Sequence, residues 1–219
     1  MIITGWFAYL GIVRPSKSRP SNRTALGRKL SYVPAVRAKM TAVFPDRRRL
    51  HEWMRAGVWQ SVHEALLRRL REYDQMWDRA CIDAASVPAP AGGEHTARNP
   101  TDRGKLGCKH HLLVDQRGLP LVAQITGAQV HDSRMLIPLL ESIPAVKGLS
   151  GRARKRPSQL HADRAYASRA HRAWLRRRGI SARIARYGVE SREGLGRWRW
   201  VVERTLGRLH RFSQTAHPL

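Results

Sequence analysis

Cysteine and long apolar runs are both scarce in this chain of 219 residues. Its two cysteines, Cys81 and Cys108, stand 27 positions apart with no CxxC pair. That spacing excludes a disulfide framework and a cysteine-rich zinc site, and it suits a reducing cytoplasm. No apolar run approaches the roughly 18 residues of a membrane helix, and the opening MIITGWFAYLGIV lacks the basic start of a signal peptide. We therefore expect a soluble, cytoplasmic protein with no membrane partner.

Acidic residues are few as well: 16 Asp and Glu stand against 41 Lys and Arg, which gives a formal net charge of +25. Solubility does not require so large a charge. It attracts polyanions, of which nucleic acid is the commonest, and most of the basic residues are Arg, which suits bidentate contacts to phosphate. A generally solvated basic surface is the alternative, so charge alone favours a nucleic-acid partner without proving one.

The chain divides into three regions by composition and periodicity. Residues 1–49 contain many basic, Ser and Pro residues without a sustained period, which predicts an irregular basic region that can be disordered. Residues 50–74 place apolar side chains at helical spacing on either side of Gly57, which predicts a helix, a turn and a longer helix. Residues 75–219 alternate strand and helix patterns and form the main domain.

Strand patterns precede helix patterns in the main domain. The turn Gln116-Arg117-Gly118 separates two apolar runs and predicts an antiparallel hairpin, and Asp132 and Ser133 are the expected caps of the next helix. A strand, a helix ended by Gly179, another strand, a Gly-rich loop and a final helix follow. This order predicts an α/β domain with a mixed sheet flanked by helices, compatible with the ribonuclease-H-like arrangement. The segments in chain order are ACIDAASV, an irregular stretch over 88–107, KHHLLVD, LPLVAQITGAQ, SRMLIPLLESI, QLHAD, SRAHRAWLRRRG, ISARIARY and RWRWVVERTLGRLHRF.

Three carboxylates occupy positions at which a metal site can form. Asp163 follows an apolar strand and precedes a helix, where the ligands of open α/β sheets gather, although it could instead cap that helix. Asp83 shares the inward face of its strand with Cys81, and a buried carboxylate is costly unless it is paired or binds a metal; an edge-strand position facing solvent is the competing account. Glu203 lies beside the apolar stripe of the last helix, where an ion pair with Arg199 is the better explanation from that helix alone.

Together these three acids would suit divalent metal ions. Mg²⁺ prefers oxygen ligands and keeps several waters, so two or three carboxylates and bridging phosphates are enough to hold it. Two such ions about 3.5–4 Å apart can activate a water or a 3′-hydroxyl and stabilise the leaving oxygen of a phosphodiester. The surrounding positive charge would hold the DNA backbone.

Several motifs resemble bacterial insertion-sequence transposases of the DDE class in both order and spacing. The resemblance runs from about Leu50 to Phe212 and is specific because four motifs follow one another. They are NPTDRGKLGCKHHLLVDQRGLPL, HDSRMLIPLLESIP, HADRAYAS and GRWRWVVERTLGRLHRF. In addition, RRRLHEWMRAGVWQSVHEALL resembles the segment that precedes the catalytic domain in this family.

The resemblance implies a ribonuclease-H-like domain that cuts and joins DNA at the ends of a mobile element with Mg²⁺, for which Mn²⁺ can substitute. It implies that Asp83, Asp163 and Glu203 are both the catalytic triad and the metal ligands. If Asp83 pointed away from the other two acids, Asp115 and Asp78 would be the next candidates for its place. The implied partner is double-stranded DNA, both terminal repeats and target, bound by a homodimer on paired ends and associated with the nucleoid.

Basic residues in the same motifs are the expected DNA contacts. In the family an Arg often stands four residues before the Glu, which corresponds to Arg199 here. A basic residue often follows one or two turns later, where this chain has Arg208 and His210. The remaining predicted DNA contacts are Arg164, Lys105 and Lys109.

Two adjacent histidines, His110 and His111, stand on the strand KHHLLVD. Neighbouring residues of a strand face opposite sides of the sheet, which makes these two a poor metal pair. We predict structural or DNA-facing roles for both and no metal ligation.

Both ends of the chain depart from the family pattern. Residues 1–48 do not match the helix-turn-helix-like DNA-binding region expected there, of which 50–74 would be the last part. After Phe212 the family continues with further helix, whereas this chain closes with SQTAHPL. We therefore expect a truncated or frameshifted copy whose main domain is shortened at its carboxyl end. The alternatives to a transposase are an inactive DNA-binding remnant and a metal-dependent nuclease without strand transfer.

Overall fold

The structure is a computed structural model that describes residues 49, 52–73, 78–147, 152–185 and 192–215. The irregular basic region is predicted over 1–49, of which 1–48 lie outside the described residues, and so do 216–219. None of the helices in the described ranges is long and apolar enough to cross a membrane.

A helical turn and a longer helix precede the sheet, as the spacing of the apolar residues predicts. The chain is helical over 52–55, turns at Gly57 with a φ of +69°, and continues as α1, Val58–Tyr73. Glycine adopts this left-handed φ without strain, which explains why the break falls there. Leu67 anchors α1, because its side chain is fully buried in the core of the main domain.

Six strands of the described chain form one mixed sheet, and in chain order they are β1 (Arg79–Pro88), β2 (Ala97–Arg98), β3 (Leu106–Asp115), β4 (Pro120–Gly127), β5 (Gln159–Ala162) and β6 (Ser181–Ile184). On one side β3 pairs with β1, and on the other it pairs with β2 at its start and with β4 along most of its length, all antiparallel. Beyond β1, β5 and then β6 join in parallel. The predicted hairpin and the predicted mixed sheet are both confirmed.

Helices cover both faces of this sheet, and they are α2 (Leu136–Glu141), α3 (Arg169–Arg177) and α4 (Arg192–Thr215). On one face α2 and α3 bury Leu140 and Leu175 in the same core as Leu160 of β5. On the other face α4 lies across β1, β3 and β5, and it buries Val202 in a smaller core with Cys81. The α/β architecture is therefore three layers, with α4 packed over the central strands.

Two helix starts differ from the prediction. Asp132 and Ser133 do not cap α2, because they lie inside a 3₁₀ turn, Asp132–Met135, that precedes it. The cap of that turn is His131, whose Nδ1 accepts the N–H of Ser133 at 3.3 Å, and α2 follows without a side-chain cap of its own. α4 begins at Arg192, so the last part of the predicted Gly-rich loop is helical.

The ends of α3 agree with the prediction. Ser168 caps its start, with Oγ accepting the N–H of His171 at 3.0 Å. Gly179 follows its end with a φ of +66°, a left-handed conformation that glycine commonly supplies after a helix.

Candidate active site

Asp83 and Asp163 lie at the same level on neighbouring strands. β1 and β5 pair in parallel register, with Cys81 opposite His161. Two residues further along each strand, this register places Asp83 beside Asp163, which directly follows β5. Side chains two residues apart on a strand share a face, so both acids point to the side of the sheet that α4 covers. We call the edge at which β5 and β6 end the carboxyl edge.

Asp83 is a largely buried carboxylate held by two donors. Its side chain is 18% exposed, Oδ1 accepts the N–H of Ala84 at 2.9 Å, and Oδ2 lies 3.2 Å from Nη2 of Arg199. Burial raises the pKa of Asp83 above its ordinary value, against the pull of Arg199 and the Ala84 N–H. The charges of Asp163 and Glu203 add to the rise. The solvent-facing alternative for Asp83 is wrong.

Asp163 caps a turn and remains available for other contacts. Its Oδ1 accepts the N–H of Ala165 at 2.8 Å and so caps the 3₁₀ turn Arg164–Tyr166. The sequence left a choice between helix cap and metal ligand, and the cap is present, although on this short turn and not on α3. The cap uses only Oδ1, so the other carboxylate oxygen of Asp163 can still bind a metal ion.

Glu203 is connected to Asp83 of the sheet through Arg199. Both residues lie on α4, one turn apart, and Nη2 of Arg199 is 3.8 Å from Oε1 of Glu203. The expected ion pair is therefore present, and the same guanidinium also contacts Asp83. The Glu203 side chain is 59% exposed, whereas that of Arg199 is 18% exposed. Arg199 thus links an acid of β1 to an acid of α4.

The donor set fits a hard divalent cation in its chemistry. Carboxylate oxygens are what Mg²⁺ and Mn²⁺ prefer, and a cation near Asp83 would offset the repulsion from the other two acids. Within the described ranges, no three His, Cys, Asp or Glu side chains already stand close enough to hold an ion. The Arg199 guanidinium supplies the positive charge there instead. An ion bound by all three acids would take over that charge and require the Arg199 side chain to move.

A fourth acid and a tyrosine near this site were missed by sequence reasoning. Tyr166, fully buried, follows Asp163 in the 3₁₀ turn, and that turn packs against the turn that contains Asp132. Burial raises the pKa of Tyr166, and the charges of Asp132, Asp83 and Asp163 add to the rise. The charges of three carboxylates therefore act on the buried phenol. In the sequence, the only sign of this fourth acid was that Asp132 stands shortly after a strand. We interpreted Asp132 as a helix cap.

Comparison with known proteins adds a family to this geometry. A family model described as "Transposase DDE domain" matches residues 78–218, which is more than half of the chain. The chain belongs to this DDE transposase family. The match covers all six strands and the helix that carries Glu203.

Two curated relatives agree with the family. The chain is 49% identical over 123 residues to a putative transposase for insertion sequence element IS402 of Burkholderia cepacia, covering 56% of this chain and 58% of that protein. It is 32% identical over 117 residues to the transposase for insertion sequence element IS1106 of Neisseria meningitidis serogroup B, covering 49% of this chain and 37% of that protein. The chain thus spans less than two thirds of the length of these DDE transposase relatives.

Two of the DNA contacts predicted for a DDE transposase are lysines of the β3 region. Nζ of Lys109 lies 2.8 Å from Oδ1 of Asp132 and donates to the carbonyl oxygen of Val130 at 2.9 Å, and its side chain is only 15% exposed. Lys105 is 67% exposed and stands 3.7 Å from Oδ1 of Asp102. Lys109 can therefore reach a phosphate only by leaving Asp132, whereas Lys105 already points to solvent.

The other predicted contacts follow Asp163 and Glu203 in the chain. Arg164 and Arg208 are exposed. His210 is half-buried, with Nε2 3.2 Å from Nδ1 of His110, and burial lowers its pKa. His210 therefore packs against the sheet, and of this set the two arginines project outward.

The histidines on β3 have structural roles, as predicted. His110 and His111 are buried on opposite faces, and Nε2 of His111 lies 2.8 Å from Oγ1 of Thr126. Burial lowers the pKa of His110 to about 3 and that of His111 to about 4, so both are neutral at physiological pH. Neither faces DNA.

The reserve candidates for the first acid lie elsewhere. Asp115 is fully buried at the end of β3, where Oδ1 accepts the N–H groups of Arg117 and Leu119 and holds the hairpin turn. Asp78 precedes β1 and stands 3.8 Å from Arg154. Both belong to the edge of the sheet opposite Asp163, which leaves Asp83 as the first acid that the geometry supports.

Proposed function

We propose that this chain carries the catalytic domain of a DNA transposase, over 75–219, that cleaves phosphodiester bonds at the ends of a mobile element and joins the freed 3′-hydroxyl to target DNA. The observation that supports the proposal is the parallel register of β1 and β5, which extrapolates to Asp83 and Asp163 at one level, together with the contacts of Arg199 to Asp83 and Glu203. The strand order, with an antiparallel β3 beside parallel β1, β5 and β6, supports a ribonuclease-H-like fold for this domain.

In this proposal Asp83, Asp163 and Glu203 hold the divalent metal. Two bound Mg²⁺ ions, or Mn²⁺ in their place, would supply charge stabilisation at the scissile phosphate and a more acidic attacking water or hydroxyl. Asp83 is largely buried, and the charges of Asp163 and Glu203 repel its own charge. A bound cation would therefore stabilise the ionised carboxylate of Asp83 most among the three acids. Arg199, released once the acids are neutralised, can grip a phosphate of the bound strand.

Double-stranded DNA is the proposed partner, as terminal repeats and as target. The formal charge of +25 supports this proposal, because phosphate contacts by Lys and Arg supply most of the affinity of such complexes. We propose in addition that 50–74 belongs to a DNA-binding region and that two copies act on paired ends. Residence at the nucleoid would follow from the DNA affinity.

The test is cleavage of a duplex that carries an element end in Mg²⁺ and in Mn²⁺. Asp163→Asn removes one charged ligand, so cleavage should fall by at least about 100-fold, since even outer partners of metal sites cost about 10- to 100-fold when they are changed. DNA binding should stay within about twofold, because phosphate contacts and not the acids supply that affinity. Asp102→Asn, a loss of one exposed acid beside Lys105, is the matched control and should cleave normally.

A second substrate separates transposition from plain hydrolysis. A pre-cut element end with a free 3′-hydroxyl should be joined to plasmid DNA by the wild-type chain and not by Asp163→Asn. Retained cleavage in Asp163→Asn would remove Asp163 from the catalytic set. Normal cleavage without any joining by the wild-type chain would contradict the transposase proposal.

A further inference from the structure

A cavity of about 760 Å³ opens at the opposite edge of the sheet from Asp163. We call this the amino edge, because β5 and β6 begin there, and we call the cavity the basic cavity. Its lining residues come from three segments, the chain before β5, the end of α2 and the end of α3. They include five cationic side chains and one acid, namely Arg152, Arg154, Lys155, Arg156, Arg178 and Glu141.

Two of these cations are exposed but also contact other groups of the protein. Nη2 of Arg178 lies 3.0 Å from Oε1 of Glu141, and its guanidinium stacks 4.8 Å from the ring centre of Trp174. Arg156 donates to the carbonyl oxygen of Arg178, and its guanidinium lies over Gly179, within 3.4 Å of where a Cβ would be. Guanidinium groups held in this way lose little freedom when they bind a phosphate.

The remaining cations face solvent. Arg152 and Lys155 are exposed, and they form no ion pair with any carboxylate of the described ranges. Arg154 stands 3.8 Å from Asp78. Arg71 of α1 donates to the carbonyl oxygen of Val146, whose backbone pairs with that of Arg154, so a sixth cation lies nearby. Six cations thus face two acids, and positive charge concentrated in a concave surface attracts anions.

The basic cavity is separate from the carboxyl edge. Asp163 is five positions beyond Ser158, which lies at the rim of the cavity, and this corresponds to about 16 Å along an extended strand at roughly 3.3 Å per residue. Duplex DNA carries roughly one charge per 1.7 Å of its length, so DNA that passes both edges offers phosphates to each of them. One face of Trp174 is already covered by Arg178, which favours contact with the phosphate backbone over stacking of a base.

We propose that the basic cavity is a second DNA-binding site, which holds the phosphodiester backbone of double-stranded DNA away from the bond that is cut. The choice of DNA as the polyanion rests on the proposed function. The bound stretch is either the flank of the element end or the target DNA, since both present the same backbone.

The test measures affinity for a fluorescent duplex in EDTA over a range of salt concentrations, using the full chain. Each lost phosphate contact lowers the slope of log affinity against log salt by about 0.9, so Arg152→Ala/Lys155→Ala should lower it by about 1.8. The charge-conserving pair Arg152→Lys/Lys155→Arg should keep the wild-type slope. The matched control Arg98→Ala/Arg183→Ala removes two exposed arginines outside the cavity and should change the slope by far less.

Two duplexes identify the source of the bound DNA. If the slope falls only on an element end that retains its flank, the DNA bound in the basic cavity is the flank. If the slope also falls on random-sequence duplex, the bound DNA is the target. An unchanged slope in Arg152→Ala/Lys155→Ala, or an equal change in the control pair, would overturn the proposal. Because EDTA excludes cleavage, this result does not depend on whether Asp83, Asp163 and Glu203 bind metal.

Discussion

The two edges of the sheet present opposite charges. At the carboxyl edge the turn that follows Asp163 packs against the turn that contains Asp132, and Arg199 and Lys109 form ion pairs there with Asp83 and Asp132. At the amino edge the cations outnumber the acids, and several project into solvent. In a chain with a net charge of +25, acids placed together are the exception. The comparison teaches that the cation within the site proposed for metal, Arg199, is paired with acids, whereas exposed cations collect at the opposite edge.

Arg199 is the residue whose loss should disturb the carboxyl edge most without removing a proposed ligand. Arg199→Ala should lower DNA cleavage by about 100-fold, comparable to the loss of one preorganised donor at a reacting oxygen. The metal concentration for half-maximal cleavage should not rise, because all three acids remain. Arg199→Lys should recover part of the rate, since it restores the charge without the forked geometry. A rise in the required metal concentration would instead mean that Arg199 orders the acids.

Acid should destabilise the sheet between the two edges. His110, His111 and His161 are buried, which lowers their pKa values to about 3, 4 and 4 from an ordinary 6.5. As pH falls below 6.5 the unfolded chain binds protons that the folded chain does not, so the free energy of unfolding should decrease down to about pH 4. The slope approaches ~1.4 kcal/mol per pH unit for each proton.

Urea unfolding at fixed ionic strength across this range measures that slope. Asp83 acts in the opposite sense, because its raised pKa lets the folded carboxyl bind a proton before the unfolded one does. A free energy of unfolding that stays constant between pH 6.5 and about 4 would contradict the buried, neutral state of the three histidines.

Gly179 should matter to the amino edge. Gly179→Ala forces a side chain into a φ of +66° and brings Cβ within 3.4 Å of the Arg156 guanidinium, so the free energy of unfolding should fall by ~1–2 kcal/mol. Gly207→Ala is the matched control, because it adds Cβ to a helical position of α4 with no atom within 4 Å and should stabilise by up to ~1 kcal/mol. Thermal unfolding of both variants checks the opposite signs.

Tyr166 provides the smallest expected effect. Its hydroxyl is buried and has no hydrogen-bond partner among the described residues, so Tyr166→Phe should keep the free energy of unfolding within ~1 kcal/mol or raise it slightly. Tyr166→Ala, which empties the ring space, should cost ~3–5 kcal/mol. A loss above ~1.5 kcal/mol in Tyr166→Phe would mean that the hydroxyl is bonded to one of the surrounding carboxylates.

Local signals predicted much of the fold. The hairpin followed from a turn between two apolar runs, and Asp115 now explains why that turn is held. The limits of α3 followed from a Gly at its end and a Ser before it. The start of α2 could not be predicted in this way, because the acceptor that caps the preceding turn is an imidazole nitrogen of His131, and Asp and Ser are the usual signal.

Long-range juxtapositions were less accessible. The resemblance to transposases selected Asp83, Asp163 and Glu203, and spacing alone favoured a simple ion pair for Glu203, which the structure contains. No local pattern indicated that Lys109 would pair with Asp132 or that the segment before β5 would meet the ends of α2 and α3 in a basic cavity. Such contacts depend on the crossovers between β5, α3 and β6, which bring distant parts of the chain together.

The proposal that Asp83, Asp163 and Glu203 bind the metal can be tested by locating the bound ion in the chain. Fe²⁺ in place of Mg²⁺, with ascorbate and peroxide, releases hydroxyl radicals that break the polypeptide close to the ion, and mass spectrometry locates the breaks. We expect breaks near Asp83, Asp163 and Glu203. Excess Mg²⁺ should suppress these breaks, and they should be absent from the Asp163→Asn variant. Breaks elsewhere in the chain, or breaks near Asp83 that neither Mg²⁺ nor Asp163→Asn reduces, would contradict this proposal.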